Sequence, residues 1–159
     1  MNEFHELTKT EEYGTLLERC KLDNFVITEI GVGTGALTKM ILKNNPKQVI
    51  GFEIVSDLCS LQDSRFTLHI QDIKEADLSY LACNGPHGLI SNPPYSLIPD
   101  ISKWVSSSQA AWHDVILMVR PKHLALFPDF TTEFILDRFA FTPNPNCDEH
   151  IVIRRGFMT

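Results

Sequence analysis

No stretch of this chain approaches the roughly 18 consecutive apolar residues that a membrane-crossing helix needs, so a membrane protein is not expected. The first residues, MNEFHELTKTEEYG, are polar and acidic, which argues against a secretory signal. Cysteine is sparse: Cys20, Cys59, Cys83 and Cys147 stand apart with no C-x-x-C spacing. That argues against a disulfide scaffold and for reduced thiols in a cytosol-like, cytoplasmic compartment. Cys147, Asp148, Glu149 and His150 lie together, but they lack a second Cys or His pair, so no metal is expected. Positive charge is short as well. Lys and Arg number 14 against 20 Asp and Glu, a formal net charge of −6, so bulk charge cannot hold the chain on nucleic acid. Local patches remain in Arg120-Lys122-His123 and in Arg154-Arg155. Repeats, low-complexity tracts and long linkers are absent. At 159 residues, the stretch 1–159 reads as a single domain.

What is present is alternation. Residues 11–20 carry apolar side chains at helical spacing (Tyr13, Leu16, Leu17). NFVITEI (24–30) is a β-branched strand that runs straight into a glycine loop. ALTKMILKN (36–44) is helical by pattern and is stopped by Pro46. KQVIGFE (47–53) and RFTLHIQD (65–72) are strands that each end in an acid, and SDLCSLQD between them allows only a short helix or turn. A fourth strand, HGLISN (87–92), precedes a helix over 99–108, and DVILMVR (114–120) is a fifth strand. A further helix is expected within DFTTEFILDRFA (129–140). AFTPNPN and EHIVIRRGF are expected to close the sheet as an antiparallel hairpin. Strands alternating with helices predict an α/β fold: a doubly wound, mostly parallel seven-stranded sheet with helices on both faces. Ligands in such folds sit at the carboxyl ends of the strands, where the unusual residues of this chain fall.

The first of these is EIGVGTGALT (29–38). Gly31, Gly33 and Gly35 follow G-x-G-x-G, not the G-x-G-x-x-G of dinucleotide sites. Glu29, two residues earlier, disfavours a pyrophosphate and favours a cation. S-adenosylmethionine, a sulfonium and an ammonium without phosphate, suits this loop better than NAD. Glu53 lies about 20 residues past the glycines, the separation at which an acid commonly takes ribose hydroxyls, and a carboxylate accepts two vicinal hydroxyls at once. Asp72 is placed to accept from an exocyclic amine, with Ile73 beside it for the ring.

The second is the hook Asn92-Pro93-Pro94-Tyr95 at the end of the fourth strand. Prolines cannot continue a sheet and they stiffen the turn. The fourth strand neighbours the first in a doubly wound sheet, so Asn92 is expected beside the cofactor's reactive end. A conjugated amine attacks a methyl group only when its lone pair is aimed at it. The Asn92 side-chain oxygen and the Pro93 carbonyl can accept from the amine's two N–H groups and hold that geometry. Tyr95 offers a flat face for a planar substrate. Asn92, Pro93 and Tyr95 are therefore the catalytic candidates. No Ser-His-Asp or paired-carboxylate set competes with them.

Together, VITEIGVGTGALT, GFE, QD and NPPY resemble a class I S-adenosylmethionine-dependent methyltransferase, which implies a Rossmann-like sheet. EIGVGTGALTK, SNPPYSLIPDI and VILMVRPKH resemble the ribosomal RNA adenine N6-methyltransferase and dimethyltransferase family. The resemblance implies Gly31, Gly33, Gly35, Glu53 and Asp72 as cofactor contacts and 92–95 as the catalytic hook. Two departures stand out. Those enzymes usually carry Asn-Leu/Ile-Pro-Tyr/Phe, whereas Asn-Pro-Pro-Tyr is common in DNA adenine methylases and in methylases of protein glutamine amides. The family's helical C-terminal domain is not expected after HIVIRRGF. The expected function is N6-methylation of adenine in RNA, or in DNA. The alternatives are methylation of a protein glutamine, an inactive cofactor-binding partner subunit or, last, a nicotinamide oxidoreductase.

Overall fold

The computed structural model describes residues 6–7, 10–83, 85–107, 112–142 and 149–157. Its strands are β1 (Glu6–Leu7), β2 (Val26–Ile30), β3 (Gln48–Glu53), β4 (Phe66–Ile70), β5 (His87–Ser91), β6 (Asp114–Val119), β7 (Thr131–Asp137), β8 (Phe141–Thr142) and β9 (Glu149–Arg155). Its α-helices are α1 (Glu11–Cys20), α2 (Ala36–Leu42) and α3 (Ile98–Ser107). Among the described residues no helix is long and apolar enough to cross a membrane.

Seven strands form one sheet in the order β4-β3-β2-β5-β6-β9-β7, parallel except for β9, which runs antiparallel to both of its neighbours. From β2 the chain winds outward through β3 and β4, then returns to the centre and winds the other way through β5 and β6. The direction of winding reverses between β2 and β5, which opens a crevice above their carboxyl ends. The central strands are buried on both faces, as their β-branched, near-continuous apolar runs require.

Alternation along β2 sends Ile27 toward α1 and α2, and Val26 and Ile30 toward α3. The first helix buries Tyr13, Leu16, Leu17 and Cys20, one face at 3.6-residue spacing; Glu11 and Glu12 in its first turn and Arg19 in its last oppose its dipole. The helices thus cover both faces, two on one side and one on the other. Between β3 and β4 there is only a turn, and short 3-10 turns at Ile73–Glu75 and Ser79–Ala82 lead from β4 to β5.

Two expectations are corrected. Residues 129–140 hold no α-helix: Thr131–Asp137 is a strand followed by a single 3-10 turn at Arg138–Ala140. The register of β7 slips between Thr132 and Phe134, which breaks its alternation and leaves Phe130 and Phe134 at a spacing that imitates a helix. The closing hairpin also has a different first arm. It pairs Thr131–Asp137 with Glu149–Arg155, while Phe141–Thr142 pairs antiparallel with Glu6–Leu7 in a separate two-stranded ribbon. Residues 143–148, including Cys147 and Asp148, lie outside the described residues. Among the described residues no group of three or more His, Cys, Asp or Glu is arranged to hold a metal.

Candidate cofactor cleft and substrate hook

The glycine loop leaves β2 with positive φ at Gly31, Gly33 and Gly35 (78°, 60° and 93°). Gly31 shows why a side chain is disfavoured there: beside the strain of its positive φ, a Cβ would lie 3.1 Å from the Pro94 ring and 3.5 Å from the Asn92 carbonyl oxygen. The loop and the hook therefore approach each other closely across the reversal point. Ser91 reinforces this join by donating its buried hydroxyl to the Ile30 carbonyl at 2.5 Å, tying the end of β5 to the end of β2.

Glu53 closes the other side of the loop. The Gly33 N–H donates to its Oε1 at 2.7 Å and the Val55 N–H to its Oε2 at 3.0 Å. Both oxygens are thereby oriented, and each retains lone pairs for a further donor. Asp72 caps the 3-10 turn that follows it, accepting from the Lys74 N–H at 2.9 Å through Oδ1. These groups line an open, shallow cleft whose walls include Gly31, Glu53, Ile54, Asp72, Ile73 and Pro94. Sequence reasoning missed Ile54 and Gln71, both on the cleft wall. Each adjoins a predicted acid, the one signal in the sequence that could have found them, and Ile54 stands 68% exposed.

Four residues predicted as cofactor contacts, Glu29, Gly33, Gly35 and Asn92, are not on the cleft wall. Gly35 caps α2 beneath Cys59 and Leu61, away from the cleft wall. Glu29 is 1% exposed and lies behind the loop, where the Thr38 hydroxyl donates to its Oε1. Burial raises its pKa to about 8, with the Thr38 hydrogen bond working against that rise and the nearby Glu53 charge adding to it. Gly33 serves the cleft through its hydrogen bond to Glu53.

The hook is held from three sides. Tyr13, buried on α1, donates its hydroxyl to Asn92 Oδ1 at 3.2 Å and so fixes the amide. Burial first, then the Glu29 charge, pushes the Tyr13 phenol well above its ordinary pKa, so it remains a donor. Sequence reasoning placed Tyr13 in the helix pattern only; nothing local marks a contact 79 residues away. Pro93 is buried, and among the described residues no donor reaches its carbonyl. Beyond Pro94 the chain turns into Tyr95–Leu97 and α3. The Tyr95 hydroxyl meets His150 Nε2, and the Arg120 guanidinium lies 3.6 Å over the Tyr95 ring.

The two basic clusters separate in space. Arg120 leaves the carboxyl end of β6, at the hook. Arg154 and Arg155 pair with the start of β6 and so lie at the opposite edge of the sheet. Arg154 donates to Glu133 at 2.5 Å and to the Gly156 carbonyl at 2.6 Å. Arg155 donates to the carbonyls of Trp112, Val105 and His113 and to Asp129. Both side chains are committed to structure.

The cleft suits S-adenosylmethionine chemically: two carboxylates for hydroxyl and amine donors, aliphatic walls for a ring and, among the described residues that line it, no cation for a phosphate. No protein-family model matches the chain. Small-subunit ribosomal RNA methyltransferase A of the Wolbachia endosymbiont of Brugia malayi (strain TRS) is 31% identical over 133 residues, covering 77% of this chain and 45% of that protein. The protein of the same name from Ehrlichia ruminantium (strain Gardel) is 30% identical with the same coverage. The chain thus spans about half the length of the curated relatives it matches. Among solved structures, the 23S rRNA methyltransferase ErmE aligns over 94% of this chain and 69% of its own (TM-score 0.69, 20% identity). A dimethyladenosine transferase from Plasmodium falciparum aligns over 95% and 63% (TM-score 0.72, 18% identity). With the β4-β3-β2-β5-β6-β9-β7 sheet, these likenesses lead to one conclusion: the chain has the Rossmann-like fold of class I S-adenosylmethionine-dependent methyltransferases, and over about three quarters of its length it is similar in sequence to small-subunit ribosomal RNA methyltransferases.

Proposed function

We propose that the protein transfers a methyl group from S-adenosylmethionine to the exocyclic N6 amine of an adenine in RNA, ribosomal RNA being the substrate named in its relatives. The observation that carries this reading is the close approach of the hook to Gly31 and the cleft wall it shares through Pro94, which supports a target amine held by the neighbouring Asn92 and Pro93 acceptors. Glu53 takes the ribose hydroxyls, Asp72 accepts from the cofactor's own adenine amine, and Ile54 and Ile73 flank that ring. Gly31, Gly33 and Gly35 shape the loop, and Glu29 supports it from behind as the acceptor for the Thr38 hydroxyl.

S-adenosylmethionine supplies an electrophilic methyl on a positive sulfur. The chain's own residues supply position. Tyr13 uses one lone pair of Asn92 Oδ1, leaving the second for one N–H of the target amine, and the Pro93 carbonyl takes the other. Held so, the nitrogen lone pair is turned out of conjugation and toward the methyl carbon. Bound in the cleft, S-adenosylmethionine would supply the methyl and keep the electron pair of its C–S bond, and the amine's surplus proton would pass to solvent. No general base is demanded at the hook. A cytoplasmic setting follows from an RNA substrate and from thiols such as Cys20, Cys59 and Cys83 that stand free.

Asn92→Ala is expected to lower turnover about 100-fold or more while calorimetry finds S-adenosylmethionine affinity nearly unchanged. NADH is expected to bind poorly to either protein. Persistent turnover in the variant would make the hook structural.

A further inference from the structure

Arg120 follows β6, which lies beside β5 in the sheet, so its side chain and the hook rise from the same edge on adjacent parallel strands. Its guanidinium covers one face of Tyr95 at 3.6 Å. Among the described residues no carboxylate lies within ion-pair distance of it, and its Nε is buried without a hydrogen-bond partner. The contrast with Arg154 and Arg155, each bound to several oxygens, is sharp. A guanidinium is planar and stacks on an aromatic face much as a base does. Here it occupies the surface a flat substrate would use, and it is held there by the ring rather than by hydrogen bonds.

We propose that Arg120 is a specificity-determining residue that covers the Tyr95 face in the free protein and yields it to a target carried on a phosphodiester chain. This rests on the reading of the hook as an adenine-amine site. A phosphate next to the target offers the guanidinium the two parallel charged hydrogen bonds it lacks at Tyr95, so entry of the base and departure of the arginine are one exchange. Lys122, exposed two residues on, adds charge close by in the chain. His123 does not: its Nδ1 accepts from the Arg120 N–H, and burial first, then the charges of Lys122 and Arg120, lower its pKa and keep it neutral. An isolated nucleoside or a glutamine side chain brings no anion, and the slot stays covered.

The test compares methylation of a short single-stranded RNA containing one adenine with methylation of adenosine, using wild type, Arg120→Gln and Arg120→Lys. The wild type is expected to prefer RNA strongly. Arg120→Gln should lose about tenfold in kcat/KM on RNA, gain on adenosine, and flatten the salt dependence by about one unit of slope. Arg120→Lys should retain the salt slope and the RNA KM yet admit adenosine. If both variants change the two substrates by one common factor with the salt slope intact, Arg120 only supports Tyr95 and the proposal falls alone. If wild type binds S-adenosylmethionine but methylates neither substrate, the adenine reading fails and takes this proposal with it.

Discussion

Glu29 illustrates how one residue's face on a strand decides its chemistry. It shares the α1–α2 side of β2 with Ile27, so it points behind the glycine loop at Thr38 and Tyr13 instead of into the cleft. The sequence shows an acid two residues before a glycine loop but gives only weak notice of which way it turns. Its pKa of about 8, against an ordinary 4.5, means that the folded protein holds a proton between those pH values that the unfolded chain releases. That stabilising contribution is complete below about pH 4.5 and is lost as pH rises through 8. Glu29→Gln keeps the acceptor for Thr38 and removes the titration. Denaturation from pH 5 to 9 is expected to show wild type losing stability relative to the variant by at most about 1.4 kcal/mol per pH unit up to pH 8, then no further change. Parallel curves would show that Glu29 titrates as an ordinary carboxylate.

At the scale of elements, the parallel strands and their following loops were legible, because buried strands of this type are β-branched runs and their ends carry the glycines and acids. The hairpin arm β7 was not. Its bulge removes the period of two, and its pairing with β9 depends on residues far along the chain. What holds that arm is partly ionic: Glu133, beside the bulge, bonds Arg154 on β9 at 2.5 Å and faces Arg19 of α1 at 3.9 Å. The Glu133 and Arg154 side chains are mostly buried, so removing one charge leaves the other poorly solvated. Glu133→Gln is expected to cost about 2 kcal/mol, more than a surface pair and less than a dry one. Chemical denaturation measures the loss, and S-adenosylmethionine affinity should not move. Unchanged stability would mean that the hairpin is held by its backbone ladder and apolar face alone.

For the whole molecule, the winding reversal between β2 and β5 is what gathers residues 31, 53, 72 and 92 onto one edge from four separate stretches of sequence. Their shared edge followed from the alternation of strands and helices. The contacts among them did not: Gly33 binding Glu53, Tyr13 binding Asn92 and Arg120 covering Tyr95 each link residues at least 20 positions apart. Net charge of −6 with one arginine over the hook's ring fits the proposed nucleic-acid substrate being engaged through one patch and not over the whole surface. The central claim is amine methylation at that hook. The most direct measurement is transfer of a radiolabelled methyl group from S-adenosylmethionine to separate RNA, DNA and protein fractions, with the labelled nucleoside identified after digestion. Label in RNA as N6-methylated adenine, absent with Asn92→Ala, is the predicted result; label confined to protein, or label that survives the substitution, would contradict it.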